Sequence, residues 1–259
     1  MLINNFNSFV FDLDGTIYRG EKLIPGAQEV IGKIKDLNKS YVFLTNKPLN
    51  HRKTYAQKLT NLGIPAQSKN IITSSYVTAN YLSSRSTSKI CYVIGEDPLK
   101  EELLEKDIKL SSNIEEVNCL VVSFDRNFHY EKLNKALQII KTGAEFIATN
   151  PDKTCPVDNG EIPDAGGIIA AIEAVTDKKV EKVLGKPSKE MLTTALQQLG
   201  DPAPEECLMV GDRLETDIVM GNKYNLATAL VMSGVTTERK IKRTDTRPDY
   251  ILESVADLI

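Results

Sequence analysis

Four short segments carry residues whose types and spacing suit chemistry on an anionic group. Asp12 and Asp14 stand in Phe9-Val-Phe-Asp-Leu-Asp-Gly-Thr16. In an extended segment, residues two apart point the same way, and Gly15 lets the chain turn sharply after them. Thr45 and Asn46 stand in Leu44-Thr-Asn-Lys47, Lys186 in Leu184-Gly-Lys-Pro-Ser188, and Asp212 and Asp217 in Val210-Gly-Asp-Arg-Leu-Glu-Thr-Asp-Ile218. Each segment also has a plainer reading. An Asp-x-Asp-Gly can be a solvated strand-end turn, a Thr after a strand can cap a helix, and a lysine between Gly185 and Pro187 can be a solvated charge. Asp217 suits the first turn of a helix, where carboxylates are favoured. Together, and in this order, the plainer readings need four coincidences. Carboxylates gathered at one sheet edge repel unless a cation sits among them, and a hard, oxygen-liking ion such as Mg2+ is the economical one. A threonine hydroxyl with the N–H groups after it and a compact ammonium suit phosphate. A calcium loop is excluded, because Thr16 stands where Asp or Asn is required and Leu23 where Glu is.

The elements that must position these residues are legible as patterns. Apolar runs at 8–13, 41–45, 71–72, 207–211 and 227–232 read as strands. Helical spacing covers 25–37, 51–62, 188–199 and about 216–224, with Gly63 and Gly200 as stops. Strands that are apolar throughout and alternate with helices predict a parallel, Rossmann-like α/β sheet covered on both faces. Ligands bind such sheets beyond the carboxyl ends of the strands, where all four segments fall. A second α/β series separates the two halves, with strands at 90–94, 119–123 and 146–149 and helices near 98–106, 130–142 and 166–176. The expectation is a core over 1–76 and 180–259 with an α/β domain inserted over 77–179.

Composition removes several function classes. At 259 residues the chain has room for two domains. Its net charge of −3, with no Lys/Arg run, argues against a nucleic-acid partner. It opens Met-Leu-Ile-Asn-Asn-Phe-Asn, without a basic region or a long apolar stretch, so neither signal peptide nor membrane span is expected. Cys91, Cys119, Cys155 and Cys207 form no C-x-x-C pair, which predicts reduced, buried thiols in a cytoplasmic protein. No G-x-G-x-x-G follows the first strand, which leaves a dinucleotide-binding oxidoreductase without support. His51 and His129, the only histidines, fit none of the four segments, and no Ser–His–Asp arrangement is visible.

The four segments resemble the four motifs of the haloacid dehalogenase superfamily. Asp12-Leu-Asp-Gly-Thr16 is similar to the first, Thr45-Asn46 to the second, Lys186 to the third, and Gly211-Asp212 through Asp217 to the fourth. Asn150-Pro-Asp152, Pro163-Asp-Ala-Gly166 and Ala170-Ala-Ile-Glu173 lie in an insertion resembling the cap of the NagD-like, p-nitrophenyl-phosphatase branch, and the likeness spans essentially the whole chain. It implies a Mg2+-dependent phosphatase that hydrolyses small phosphomonoesters (sugar phosphates, nucleotides, p-nitrophenyl phosphate) through an aspartyl-phosphate. Asp12 is then the nucleophile and Asp14 the general acid and base. Thr45, Asn46 and Lys186 bind the substrate phosphate. Asp12, Asp212 and the Asp14 backbone carbonyl hold the metal, and Asp217 orients groups around it. Relatives often form homodimers through the cap. One departure is Lys47-Pro48, where many relatives read Asn-Ser; an added cation there can alter leaving-group preference. In the cap, Asn150, Asp152 and Asp164 are candidates for leaving-group contact, or simply turn residues. Two rivals stand beside the hydrolase: a phosphotransferase or phosphomutase of the same superfamily, and a phospho-receiver module. In receivers the acidic pair precedes the phosphoacceptor on a different strand, and the chain is about half as long.

Overall fold

The strands Ser8–Asp12 and Cys207–Gly211 are buried at every position, which only a sheet covered on both faces permits. In the computed structural model, which describes residues 1–157 and 160–259, they are central neighbours in a six-stranded sheet. Its order is Tyr250–Leu252, Ala227–Val231, Cys207–Gly211, Ser8–Asp12, Ser40–Thr45, Ile71–Thr73. Ser8–Asp12 runs parallel to both neighbours, pairing Phe11 with Val210 on one side and Asp12 with Leu44 on the other. The helix Ala27–Asp36 buries Ala27, Val30, Ile31 and Ile34, one stripe at helical spacing, in a core that includes Phe9, Phe11 and Phe43.

The chain folds as two units. The first comprises Met1–Thr45, Arg52–Ile72 and Met191–Ile259; the second comprises Asn46–His51 and Thr73–Glu190. The second therefore takes in residues on both sides of the expected 77–179. The physical reason at the far end is a strand too short to see in the sequence. Lys182–Val183 pairs in parallel with Glu145–Ala148, Lys182 opposite Ile147, and so forms the edge of the second unit's own sheet. That sheet runs Lys182–Val183, Glu145–Ala148, Cys119–Val122, Ile90–Ile94, Lys109–Leu110, with its neighbours parallel. At the near end the helix Ser74–Ser83, which the sequence did not suggest, begins on Thr73, whose hydroxyl caps it by accepting from the Tyr76 N–H at 3.1 Å.

Three further differences separate expectation from structure. The helix expected over 216–224 is a wide turn, Leu214–Ile218, followed by a short helix, Val219–Lys223. An antiparallel pair, Thr154–Val157 with Gly160–Pro163, follows the Asn150-Pro-Asp segment, and a sixth strand, Tyr250–Leu252, closes the first sheet. All four cysteines are buried and free of disulfides. Among the described residues no helix is long and apolar enough to cross a membrane.

Candidate active site

Register brings the acidic residues of the first unit together. Phe11 lies opposite Val210, so Asp12 and Asp212 leave the carboxyl ends of adjacent strands one step apart. Asp12 lies opposite Leu44, so Thr45 ends the other neighbouring strand at the same edge. Asp217 arrives by a different route. The Ile218 N–H reaches back five residues to the Arg213 carbonyl at 3.3 Å, and this widened turn folds Asp217 under the strand end. Such π-type turns are frequent at functional sites. Asp217 Oδ2 accepts from the Arg213 N–H at 3.1 Å, and Gly211 is required beneath it, because a Cβ there would collide with the Asp217 side chain.

Asp12, Asp212 and Asp217 are 7%, 3% and 1% exposed. Each offers a carboxylate oxygen, and these oxygens lie within 4.8 Å of one another. Burial, reinforced by the charges of Asp12 and Asp217, pushes the Asp212 carboxyl up to about 8. Asp212 is nevertheless gripped. The Val235 N–H donates to its Oδ2 at 2.7 Å, and side chains at Gly15 or Gly234 would run into that same oxygen. The loop carrying Val235 is tied down in turn: Ser233 Oγ donates to the Gly15 carbonyl at 2.7 Å, and the Arg19 guanidinium donates to the Ser233 carbonyl. Three buried carboxyl groups held this close, all oxygen donors, fit a hard divalent cation.

Asp14 stands outside this trio. It is half-buried, and the turn after it is fixed by Gly15, at φ +87°, whose N–H donates to the Tyr18 carbonyl at 2.7 Å. The Tyr18 phenol is raised well above its usual range by burial first, then by the negative charge of Asp14.

Asn46 and Lys186 belong to the second unit. The Asn46 side chain is committed to protein: its Oδ1 accepts from the Lys186 N–H at 2.7 Å, and its Nδ2 donates to the Lys186 carbonyl at 3.1 Å and to Asp152 Oδ2 at 2.8 Å. What Asn46 leaves for an anion is backbone, whereas the sequence reading assigned it to phosphate without that distinction. Asn150 is fully buried and donates to Asp164 Oδ1 at 3.0 Å and to Asp152 Oδ2 at 3.2 Å. Asp164 Oδ1 also accepts from the Ala165 N–H at 2.5 Å, capping the helix Ala165–Thr176. In this pair the turn-building role is the one on display.

The sequence reading missed Arg19, Ser233, Gly234 and Val235, and the link from Asn46 to Asp152. A signal for the loop existed: Ser233-Gly234 is a turn dipeptide directly after a core strand, at the edge where ligands bind.

Comparison with known proteins identifies the family. Residues 9–109 match the family described as haloacid dehalogenase-like hydrolase, and residues 183–258 match a second HAD-like hydrolase family. The chain is 38% identical to the sugar-phosphatase AraL of Bacillus subtilis, over 96% of this chain and 90% of that protein. Its fold is similar to that of the 4-nitrophenylphosphatase of Thermotoga maritima, with TM-score 0.92, 33% identity, and coverage of 100% of this chain and 98% of that one. It is also similar to NagD of Escherichia coli K-12, with TM-score 0.88, 31% identity, and coverage of 98% and 100%. With its carboxylates at the strand ends of a parallel sheet and these likenesses running its full length, the chain belongs to the haloacid dehalogenase-like hydrolases, in their NagD-like branch, and is a phosphatase.

Proposed function

We propose that this phosphatase hydrolyses small phosphomonoesters, sugar phosphates foremost, in a Mg2+-dependent reaction through an aspartyl-phosphate on Asp12. The observation that carries the reading is the trio of buried carboxyl groups, with Asp12 at the very end of its strand. The naming of the Bacillus relative as a sugar-phosphatase and of the Thermotoga protein as a 4-nitrophenylphosphatase supports the substrate class.

Uncatalysed phosphomonoester hydrolysis is so slow that enzymes accelerate it by up to ~10^21-fold. General acid–base catalysis supplies about 10^2 to 10^4 of this, so most must come from placing and neutralising the phosphoryl oxygens. In the proposed first step an Asp12 carboxylate oxygen attacks phosphorus in line. The bond from phosphorus to the ester oxygen breaks, and Asp14 gives that oxygen a proton. In the second step Asp14, now ionised, takes a proton from the attacking water, and the phosphorus–Asp12 bond breaks to release inorganic phosphate. The separation of Asp14 from the acidic trio suits this division of labour. The Thr45 hydroxyl, the Lys186 ammonium and the backbone at Asn46 are assigned to the phosphoryl oxygens by motif order. Asp12, Asp212 and the Asp14 carbonyl would hold the divalent cation, with Asp217 orienting them or its waters. When bound, the ion screens the carboxylates from the substrate dianion and polarises phosphoryl oxygen.

The test is release of inorganic phosphate from p-nitrophenyl phosphate and a panel of sugar phosphates and nucleotides. Turnover without any acceptor alcohol, lost in chelator and restored by Mg2+, is expected. Release that requires an acceptor would favour a phosphotransferase, and none on any substrate would overturn the reading. Buried cysteines free of disulfides support assignment to a reducing compartment such as the cytoplasm. A homodimer, also proposed, is checked by light scattering on the purified chain.

A further inference from the structure

A lysine that holds phosphate has a practical difficulty: its ammonium rides on four rotatable carbons, so its aim depends on how firmly its backbone is fixed. In this protein both backbone polar groups of Lys186 are bonded to one side chain. Asn46 accepts from its N–H at 2.7 Å and donates to its carbonyl at 3.1 Å, across a sequence separation of 140 residues. The two bonds use the two ends of one amide, so they hold only if the amide faces the correct way. Asp152 enforces that. Its Oδ2 takes the remaining Nδ2 hydrogen of Asn46 at 2.8 Å. A flipped amide would set Oδ1 against a carboxylate and Nδ2 against the Lys186 N–H, which is repulsive at both ends.

The clamp is built into the second unit. Asp152 Oδ2 also accepts from Asn150 at 3.2 Å, and its carbonyl accepts from the Gly166 N–H at 2.8 Å. The approaches need bare backbone. A Cβ on Gly185 would stand 2.5 Å from Asn46 Oδ1 and from the Thr149 carbonyl, and one on Gly166 would stand 2.8 Å from the carbonyls of Pro151 and Asp152. Asn46 and Lys186 are themselves 8% and 3% exposed, so solvent does little to replace a lost partner.

We infer that Asn46 and Asp152 are positioning residues for Lys186: Asn46 clamps the lysine's backbone, and Asp152 sets the orientation of the Asn46 amide. Neither needs to touch substrate with its side chain. The inference rests on the reading of Lys186 as the phosphate lysine, and misplacing such a group by about 1 Å can cost ~10^2-fold.

The experiment compares N46A, D152A, K186A and the double variant K186A/D152A, with circular dichroism to confirm folding. The readouts are kcat on p-nitrophenyl phosphate and the inhibition constant of inorganic phosphate. N46A and D152A should each lower kcat and weaken phosphate inhibition by about 10- to 100-fold. D152A should add nothing further once Lys186 is gone, because its effect passes through that side chain. Losses that multiply in the double variant would overturn the inference, as would N46A and D152A that stay within twofold of wild type while K186A falls. If K186A itself is silent, the phosphate reading of Lys186 fails first and takes this inference with it, an outcome separable from the others. Should D152A fail to fold, N46D replaces it. Asn46→Asp keeps shape but turns the Nδ2 donor into an acceptor, so an unaltered phosphate affinity there would equally sink the clamp.

Discussion

The carboxyl edge of the first unit and the amide cluster of the second answer opposite electrostatic conditions. At the first, three buried carboxyl groups lie within 4.8 Å, and one is pushed up to about 8. At the second, donors alternate with acceptors: the Asn46 amide spans the Lys186 backbone and ends on Asp152, and Asn150 joins Asp152 to Asp164. Packing like groups together sacrifices stability, and proteins do so where function needs it. A complementary network stabilises itself and holds what it contains in place. On the proposed reading the first cluster is completed by a cation, and the second is scaffold for the side chain of Lys186.

The two can be separated by experiment, beginning with the largest expected effect. K186A should lower kcat on p-nitrophenyl phosphate by about 10^2- to 10^3-fold, the range for removing one group that neutralises transition-state charge. Its Mg2+-induced thermal shift should be intact, since the substitution leaves Asp12, Asp212 and the Asp14 carbonyl, the ligands proposed for the ion, unchanged; loss of that shift would break the separation. Next, Mg2+ at ~100 times its Kd should raise the thermal midpoint of the first unit by about 5–10 °C, followed calorimetrically. D212N should abolish this shift. In the absence of metal, D212N should itself melt a few degrees higher than wild type, on the order of 2–4 °C per kcal/mol of relieved repulsion; an unchanged or lower midpoint would contradict the charge argument. The smallest effect belongs to the scaffold. D164A removes the cap of the helix Ala165–Thr176 and should cost about 1 kcal/mol in chemical denaturation of the second unit.

The parts of this site that were readable in the sequence are those in which function and local structure coincide. Asp12, Thr45 and Asp212 end continuously apolar runs, and such runs reveal both the strands and their parallel arrangement. What escaped depends on who neighbours whom. Val235 reaches Asp212 because Ala227–Val231 lies beside Cys207–Gly211 in the sheet, and nothing local to either segment states that order. Asn46, read beside Thr45 as a phosphate ligand, also has its amide bonded to residues 106 and 140 positions away, and no local pattern names those partners. The turn that delivers Asp217 has a helical pattern, so periodicity could not tell its wider pitch from an α-helix. The end of the second unit was displaced for a similar reason: Lys182–Val183 is too short to register as a strand until it pairs with Glu145–Ala148.

Asp12 is the residue on which the proposed mechanism turns. Asp12→Asn keeps the size of the side chain while removing the oxyanion proposed to attack, so steady-state release of phosphate from p-nitrophenyl phosphate is the decisive measurement. Turnover should fall to the buffer background while circular dichroism and the affinity for inorganic phosphate persist. Activity within about tenfold of wild type, where loss of a catalytic nucleophile can cost ~10^6, would contradict the assignment of Asp12 as nucleophile and the mechanism built on it.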